Sequence, residues 1–179
     1  MKFIPSALPG VFVIEPQVFQ DARGLFFESY RKDAFKKMFI FVDFVQDNHS
    51  RSAKGTLRGL HYQAVPMAQA KLVRVTRGEA FDAVVDLRLG TTTYGKWEGH
   101  LLSAENRKML YIPAGFAHGF LALKDDTELV YKVSEFYSPA HERGILWNDP
   151  DVGIVWPRLD TPIVLSEKDK KFPTFKEIR

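Results

Sequence analysis

The stretch Thr56-Leu57-Arg58-Gly59-Leu60-His61-Tyr62-Gln63 holds the first residues able to do chemistry. In a regular strand side chains alternate between faces, which groups His61 with Gln63 and sets Leu60 and Tyr62 opposite. Arg58 then lies across from His61, unless Gly59 between them forms a bulge that turns both to one side. A histidine facing a barrel interior is a candidate general base, because its pKa lies near working pH. A structural histidine with both nitrogens satisfied is the other reading. In Lys71-Leu72-Val73-Arg74-Val75 the lysine shares a face with two valines. It either enters the core, where lysine is rare unless paired or functional, or snorkels out from the strand end. Phe44, Gln46 and Asn48 share a face, giving two amides that could read a base or a phosphate, or satisfy each other. Tyr131 aligns with Leu129 and Val133 and points inward, as packing or as a proton donor. Tyr137, just past that strand, is placed where an aromatic could stack on a base.

A sharper signal is Ile112-Pro113-Ala114-Gly115-Phe116-Ala117-His118-Gly119. Its Pro-x-Gly-x-x-His arrangement resembles the second conserved motif of cupins, in which a turn delivers a histidine to the barrel interior. Metal-binding cupins supply His-x-His and a following glutamate from their first motif. Here the corresponding place reads His61-Tyr62-Gln63, so the ligand set falls short and no metal is expected. The chain has no cysteine, which excludes disulfides, thiolate catalysis and cysteine metal sites.

Short strands separated by turn signals must position these residues. The pattern predicts strands at Val11 to Ile14, Leu25 to Tyr30, Phe41 to Asn48, Thr56 to Gln63, Lys71 to Val75 and Ala80 to Leu87. Others follow at Trp97 to Leu102, Lys108 to Ile112, Gly119 to Leu123 and Glu128 to Val133. Helix is expected only at Lys32 to Met38 and near Ser166 to Lys170, where Ser166 and Asp169 approach a capping box. Many short strands with little helix imply an all-β antiparallel sandwich or barrel. From Pro139 onward the chain is irregular; such loops either cover the mouth of a scaffold and carry function, or pack on its surface.

The 179 residues are one domain's worth of chain, with 45% hydrophobic and 26% charged residues, an ordinary globular composition. No linker, repeat or low-complexity segment divides them, so a single domain over 1–179 is expected. The formal charge of +3 is spread along the chain; a nucleic-acid binder would concentrate it in a stripe. No apolar run is long enough to cross a bilayer, and the N-terminus does not read as a signal peptide, so the cytoplasm is expected.

Seven stretches in order resemble the dTDP-4-dehydrorhamnose 3,5-epimerase family, a metal-free branch of the cupins. They are Asp21 to Glu28, Phe44 to Ser50, Leu57 to Gln63, Gln69 to Val75, Ile112 to Phe120, His141 to Trp147 and Leu165 to Asp169. The likeness implies a cupin-type double-stranded β-helix, a jelly-roll barrel with short peripheral helices. It implies inversion of C3 and C5 of dTDP-4-dehydro-6-deoxy-D-glucose on the way to dTDP-L-rhamnose and cell-surface polysaccharide, without cofactor or metal. By resemblance His61 is the base, Asp169 its hydrogen-bond partner, Lys71 the cation beside the C4 oxygen, and Tyr131 the proton donor on the opposite face. Arg23, Arg58, His118 and Lys168 match positions where cations meet the diphosphate. Glu28, Gln46, Asn48 and Glu142 match polar positions lining the site, with Asp47 contributing through its backbone, and Tyr137 matches an aromatic that stacks on thymine. The family's N-terminal segment crosses to a second subunit, so Arg23, Phe26 and Glu28 are expected to serve the partner's site in a homodimer. Single-centre epimerases and keto-isomerases of the same fold remain alternatives. Where the family often has Pro-His-Ala-Gln-Gly, this chain reads Pro66-Met67-Ala68-Gln69-Ala70, which implies altered packing beside the site.

Overall fold

The computed structural model describes residues 1–178; Arg179, the last residue of the expected domain, lies outside them. Thirteen strands and two short helical segments follow one another among the described residues. The strands are β1 (Lys2–Pro5), β2 (Phe12–Glu15), β3 (Val18–Asp21), β4 (Gly24–Phe27), β5 (Gln46–Ser52), β6 (Leu57–Gln63) and β7 (Lys71–Arg77). After these come β8 (Glu79–Asp86), β9 (Trp97–Ser103), β10 (Met109–Ile112), β11 (Phe116–Ala122), β12 (Thr127–Val133) and β13 (Glu142–Gly144). Helix α1 (Lys32–Lys37) and a 3-10 turn at Asp169–Lys171 complete the list. The fold is all-β, as expected.

A six-stranded sheet runs β1-β2-β10-β7-β12-β5, and a five-stranded sheet runs β13-β6-β11-β8-β9. All their strand pairs are antiparallel. The sheets face each other as a jelly-roll barrel. Val73, Val75, Leu110, Ile112 and Leu129 of the first meet Ala80, Val84, Leu102, Phe116 and Phe120 of the second in one buried cluster. The outer faces are covered too. Phe35 of α1 packs with Ile14, Leu72, Met109 and Tyr111 behind the six-stranded sheet, while Ile145, Val152 and Phe175 pack on Leu60, Val85 and Ala117 behind the five-stranded one. Strand β11 is therefore buried along its whole length, and apart from His118 its residues are apolar or glycine, with no alternation.

Several boundaries differ from expectation for identifiable reasons. Residues 41–45 precede the strand instead of opening it. The apolar run there is the exit of α1: Phe39 takes a left-handed φ of 60°, Ile40 N–H returns to the Phe35 carbonyl at 3.1 Å, and only Ile40 is buried. The strand expected at Leu25 to Tyr30 stops at Phe27 and pairs with β3 as a hairpin, whose turn is held by Asp21 accepting the Arg23 N–H at 2.8 Å. Strands β1, β3 and β13 are three or four residues long, too short to show a period. The helix expected at Ser166 to Lys170 is only the 3-10 turn, although Ser166 Oγ does accept the Asp169 N–H at 3.1 Å.

Strand β6 carries the anticipated bulge. Its pairing with β11 matches His118 with His61 but Phe120 with Arg58, so Gly59 and Leu60 of β6 oppose Gly119 alone. Arg58 and His61 consequently face one cavity. Gly59 occupies the bulge at φ +140°, where an added Cβ would sit 2.6 Å from Gly119 Cα. Gly59→Ala is expected to destabilise the fold by at least about 1–3 kcal/mol, read as a lower urea midpoint at an unchanged slope.

Candidate active site

A cavity of about 620 Å³ opens between the sheets, lined by Arg58, His61, Lys71, His118, Tyr131, Tyr137, Glu142, Lys168 and Asp169 among others. A side lobe of about 200 Å³ shares His61, Lys71, Tyr131, Tyr137 and Glu142 and adds Gln46 and Asn48. His61, Arg58 and His118 come from the five-stranded sheet, whereas Lys71 and Tyr131 come from neighbouring strands of the six-stranded sheet.

His61 Nε2 lies 2.7 Å from Asp169 Oδ1. The carboxylate is held in turn by the Gly59 N–H on Oδ2 at 3.3 Å, and its chain segment is tied to the start of β6 through Leu57 N–H to the Val164 carbonyl at 2.9 Å. Burial by itself would raise the Asp169 carboxyl; the bonds from His61 and Gly59 outweigh it and hold the pKa below the usual value. Asp169 is therefore ionised, accepts the Nε2 proton and leaves the Nδ1 lone pair of His61 free. The Phe172 ring stands edge-on to the imidazole at 5.5 Å, which restricts its rotation.

Lys71 is buried at the end of β7 on the face of Val73 and Val75, the inward position expected. Its Nζ donates to the His61 carbonyl at 3.3 Å. Burial brings its pKa down to about 8, against the pull of Asp82 and Glu142. Tyr131 packs against the inter-sheet cluster, and burial raises its phenol above the ordinary value, so it stays a proton donor at neutral pH.

Around the rim, Glu142 accepts from Tyr137 Oη at 2.8 Å and from Lys168 Nζ at 2.6 Å. Arg58 donates to Ser52 Oγ at 3.1 Å and to the Arg51 carbonyl at 3.2 Å, and among the described residues no carboxylate pairs with its charge. Gln46 and Asn48 bond each other at 2.9 Å, and Gln46 Oε1 accepts the Tyr137 N–H at 3.0 Å. His118 stands apart from the other expected cations. Its Nε2 sits 2.8 Å from Asp82 Oδ2, and burial lowers its pKa despite that carboxylate. At neutral pH it presents a neutral imidazole to the cavity.

Four expected residues lie elsewhere in this chain. Asp47 points to the other face, paired with Lys132 Nζ at 2.9 Å, as strand alternation requires. Arg23 and Phe26 are on the β3–β4 hairpin, where Arg23 pairs with Asp21, and Glu28 pairs with Arg31 at 3.3 Å. The sequence reading missed Asp82 and the role of Gln63. Asp82 shares the inward face of Ala80 and Val84, so an acid in that register was the available signal. The Met67 and Ala70 departures are accommodated by main-chain bonds. The Met67 carbonyl accepts from Gln63 Nε2 at 2.6 Å, and Ala70 N–H donates to Ser134 Oγ at 2.8 Å without a positive φ. No group of three or more metal-ligating side chains occurs among the described residues.

A histidine oriented by a carboxylate, a buried ammonium and an inward phenol in one cavity define an acid–base site, suited to moving a proton at carbon beside a carbonyl. A sequence profile of the dTDP-4-dehydrorhamnose 3,5-epimerase family matches residues 5–177. A dTDP-4-dehydrorhamnose 3,5-epimerase of Pseudomonas aeruginosa is 54% identical over 178 residues, covering 99% of this chain and 97% of that protein. The crystal structure of a dTDP-6-deoxy-D-glucose-3,5-epimerase from Legionella pneumophila, in complex with dTDP-4-keto-L-rhamnose, superposes with a TM-score of 0.95. That match has 42% identity and covers 99% of this chain and 94% of that one. A 3'-monoepimerase from Streptomyces bikiniensis in complex with dTDP-quinovose reaches a TM-score of 0.89 at 40% identity, covering 95% and 86%. The chain belongs to the dTDP-4-dehydrorhamnose 3,5-epimerase family.

Proposed function

We propose that this protein inverts C3 and C5 of dTDP-4-dehydro-6-deoxy-D-glucose to give dTDP-4-dehydro-L-rhamnose, and that the observation carrying this is the His61–Asp169 pair facing Tyr131 and Lys71 across one cavity. The C4 ketone acidifies the hydrogens on C3 and C5. His61 Nδ1 takes one, and the electron pair moves to the C4 oxygen as an enolate. Lys71 stabilises that oxyanion from its buried position. Tyr131 delivers a proton to the opposite face, and exchange with solvent restores both groups. The old C–H bond is replaced by one on the opposite face as the C4 ketone re-forms, and no electron is transferred to an acceptor.

Arg58 and Lys168 are read as the cations for the diphosphate, with His118 a neutral partner beside them. Tyr137 stacks on the thymine, and Gln46, Asn48 and Glu142 line its approach. The hairpin bearing Arg23 and Phe26 exposes Phe19, Leu25 and Phe26 and lies away from the chain's own cavity. This supports a homodimer in which that hairpin and Glu28 complete the partner's site, with the backbone of Asp47 beside it. The reading extends to a single cupin-type domain acting in the cytoplasm on the route to rhamnose-containing polysaccharide. No helix among the described residues is long and apolar enough to cross a membrane.

The second reading is a single-centre epimerase, favoured by the 40% identity to the Streptomyces 3'-monoepimerase. The two separate when EDTA-treated protein is incubated with dTDP-4-keto-6-deoxyglucose in deuterium oxide and followed by NMR. Label at both C3 and C5 is expected. Label at one carbon selects the single-centre enzyme, and label at neither overturns the catalytic reading.

A further inference from the structure

We infer that Gln63 is a positioning residue that fixes Tyr137 over the nucleotide end of the cavity and so sets the affinity for the substrate's nucleotide; this rests on the reading of Tyr137 given above. Gln63 ends β6, two residues beyond His61 on the same strand, and is buried. All of its donor capacity is spent inside the protein. The Nε2 group donates to the Met67 carbonyl at 2.6 Å and to the Phe136 carbonyl at 3.1 Å, while Oε1 accepts the Ser138 N–H at 2.7 Å. An amide carries two N–H bonds, so no donor remains for a ligand.

The two bonds to Phe136 and Ser138 bracket Tyr137. Its own N–H is held by Gln46 Oε1 at 3.0 Å, and its hydroxyl reaches Glu142 at 2.8 Å. Without Gln63, residues 136–138 keep few ties to β6. Tyr137 is half exposed at the rim, at 53%, so side-chain packing does little to hold it. Ordering a rim aromatic before the ligand arrives removes a cost that binding would otherwise carry. His61 faces the same cavity but has its own partner in Asp169, so the chemical step does not depend on this clamp.

The test uses full-length Gln63→Met and Gln63→Glu, with Tyr137→Ala and the double variant Gln63→Met/Tyr137→Ala. Both Gln63 variants lose the two donors, and the glutamate retains an acceptor for Ser138. For each protein the dTDP dissociation constant is measured by calorimetry, with KM and kcat on the sugar nucleotide. Gln63→Met is expected to raise Kd for dTDP and KM about tenfold, with kcat changed less than threefold. The double variant should bind dTDP no more weakly than Tyr137→Ala alone, because Gln63 acts only through that ring. A fall in kcat with KM unchanged overturns the inference, as does additive weakening in the double variant. If Tyr137→Ala itself binds dTDP normally, the reading of Tyr137 fails first. If Tyr137→Ala weakens binding and neither Gln63 variant does, only the positioning role fails. Should Gln63→Met not fold, Gln63→Glu carries the same comparison.

Discussion

His61→Ala lowers kcat by about 10²–10⁴-fold while dTDP still binds within a few-fold of wild type, and solvent deuterium no longer enters C3 or C5. The imidazole is the proposed base, its orientation set by a buried carboxylate, and alanine leaves water in its place. Asp169→Asn tests the same pair from the other side. An amide oxygen can still accept the Nε2 proton, but it cannot balance the imidazolium that forms when His61 takes a proton. An intermediate loss in kcat is therefore expected, with KM little changed. Stopped exchange with retained binding fits the proposed base; exchange that survives His61→Ala would assign proton removal to another group.

Lys71 supplies the second large effect. Lys71→Met is expected to cost about 10²–10³-fold in kcat, because in the proposed role the ammonium meets the oxyanion only as charge develops. The pH dependence carries the same signature. With its pKa brought down to about 8 by burial, Lys71 is charged below that value and neutral above it. Activity at low substrate should then fall about tenfold per pH unit above about 8, and that limb should vanish in Lys71→Met. Stability should move in the opposite sense. A fall from 10.5 to about 8, at about 1.4 kcal/mol for each pH unit, corresponds to about 3 kcal/mol. The unfolded chain holds this proton up to its ordinary pKa while the folded chain releases it near 8. Between those values the unfolded state binds more protons and stability rises with pH, and below about 8 the full cost is present. Methionine at 71 should therefore raise the urea midpoint at pH 7 while slowing turnover. A variant that is both inactive and less stable would show that the ammonium is held by compensating bonds instead.

Much of this site is legible in the sequence, because its residues break the pattern around them. Lys71 stands in register with two valines, Tyr131 in register with Leu129 and Val133, and Gly59 separates an arginine and a histidine that only a bulge can reunite. Each is an alternation argument, and each holds in the structure. The same logic reaches Asp82, although an acid inside an apolar strand passes easily for its solvent face. Gln63 was beyond reach for a different reason. Its three partners, Met67, Phe136 and Ser138, lie on two loops with no period to read. The pairing of His61 with Asp169, 108 residues apart, came from resemblance and not from any local pattern. The misplaced strand at Phe41 shows the limit of hydrophobic runs: an apolar stretch of four serves as well to end a helix as to begin a sheet.

The proposed base and acid stand on different sheets, His61 on β6 and Tyr131 on β12. Facing sheets keep a separation of roughly 10 Å set by the side chains between them. The gap in which a sugar ring must be reached from both faces is thus a property of the barrel's interior layer. Leu129 and Phe120, which belong to that layer, act as spacers as well as core. Enlarging or trimming them would alter the reach of the two proton-transferring groups without touching either, so turnover in this protein doubles as a gauge of sheet spacing. Selection for a working enzyme then falls on the volume of its core, at two positions that also line the cavity.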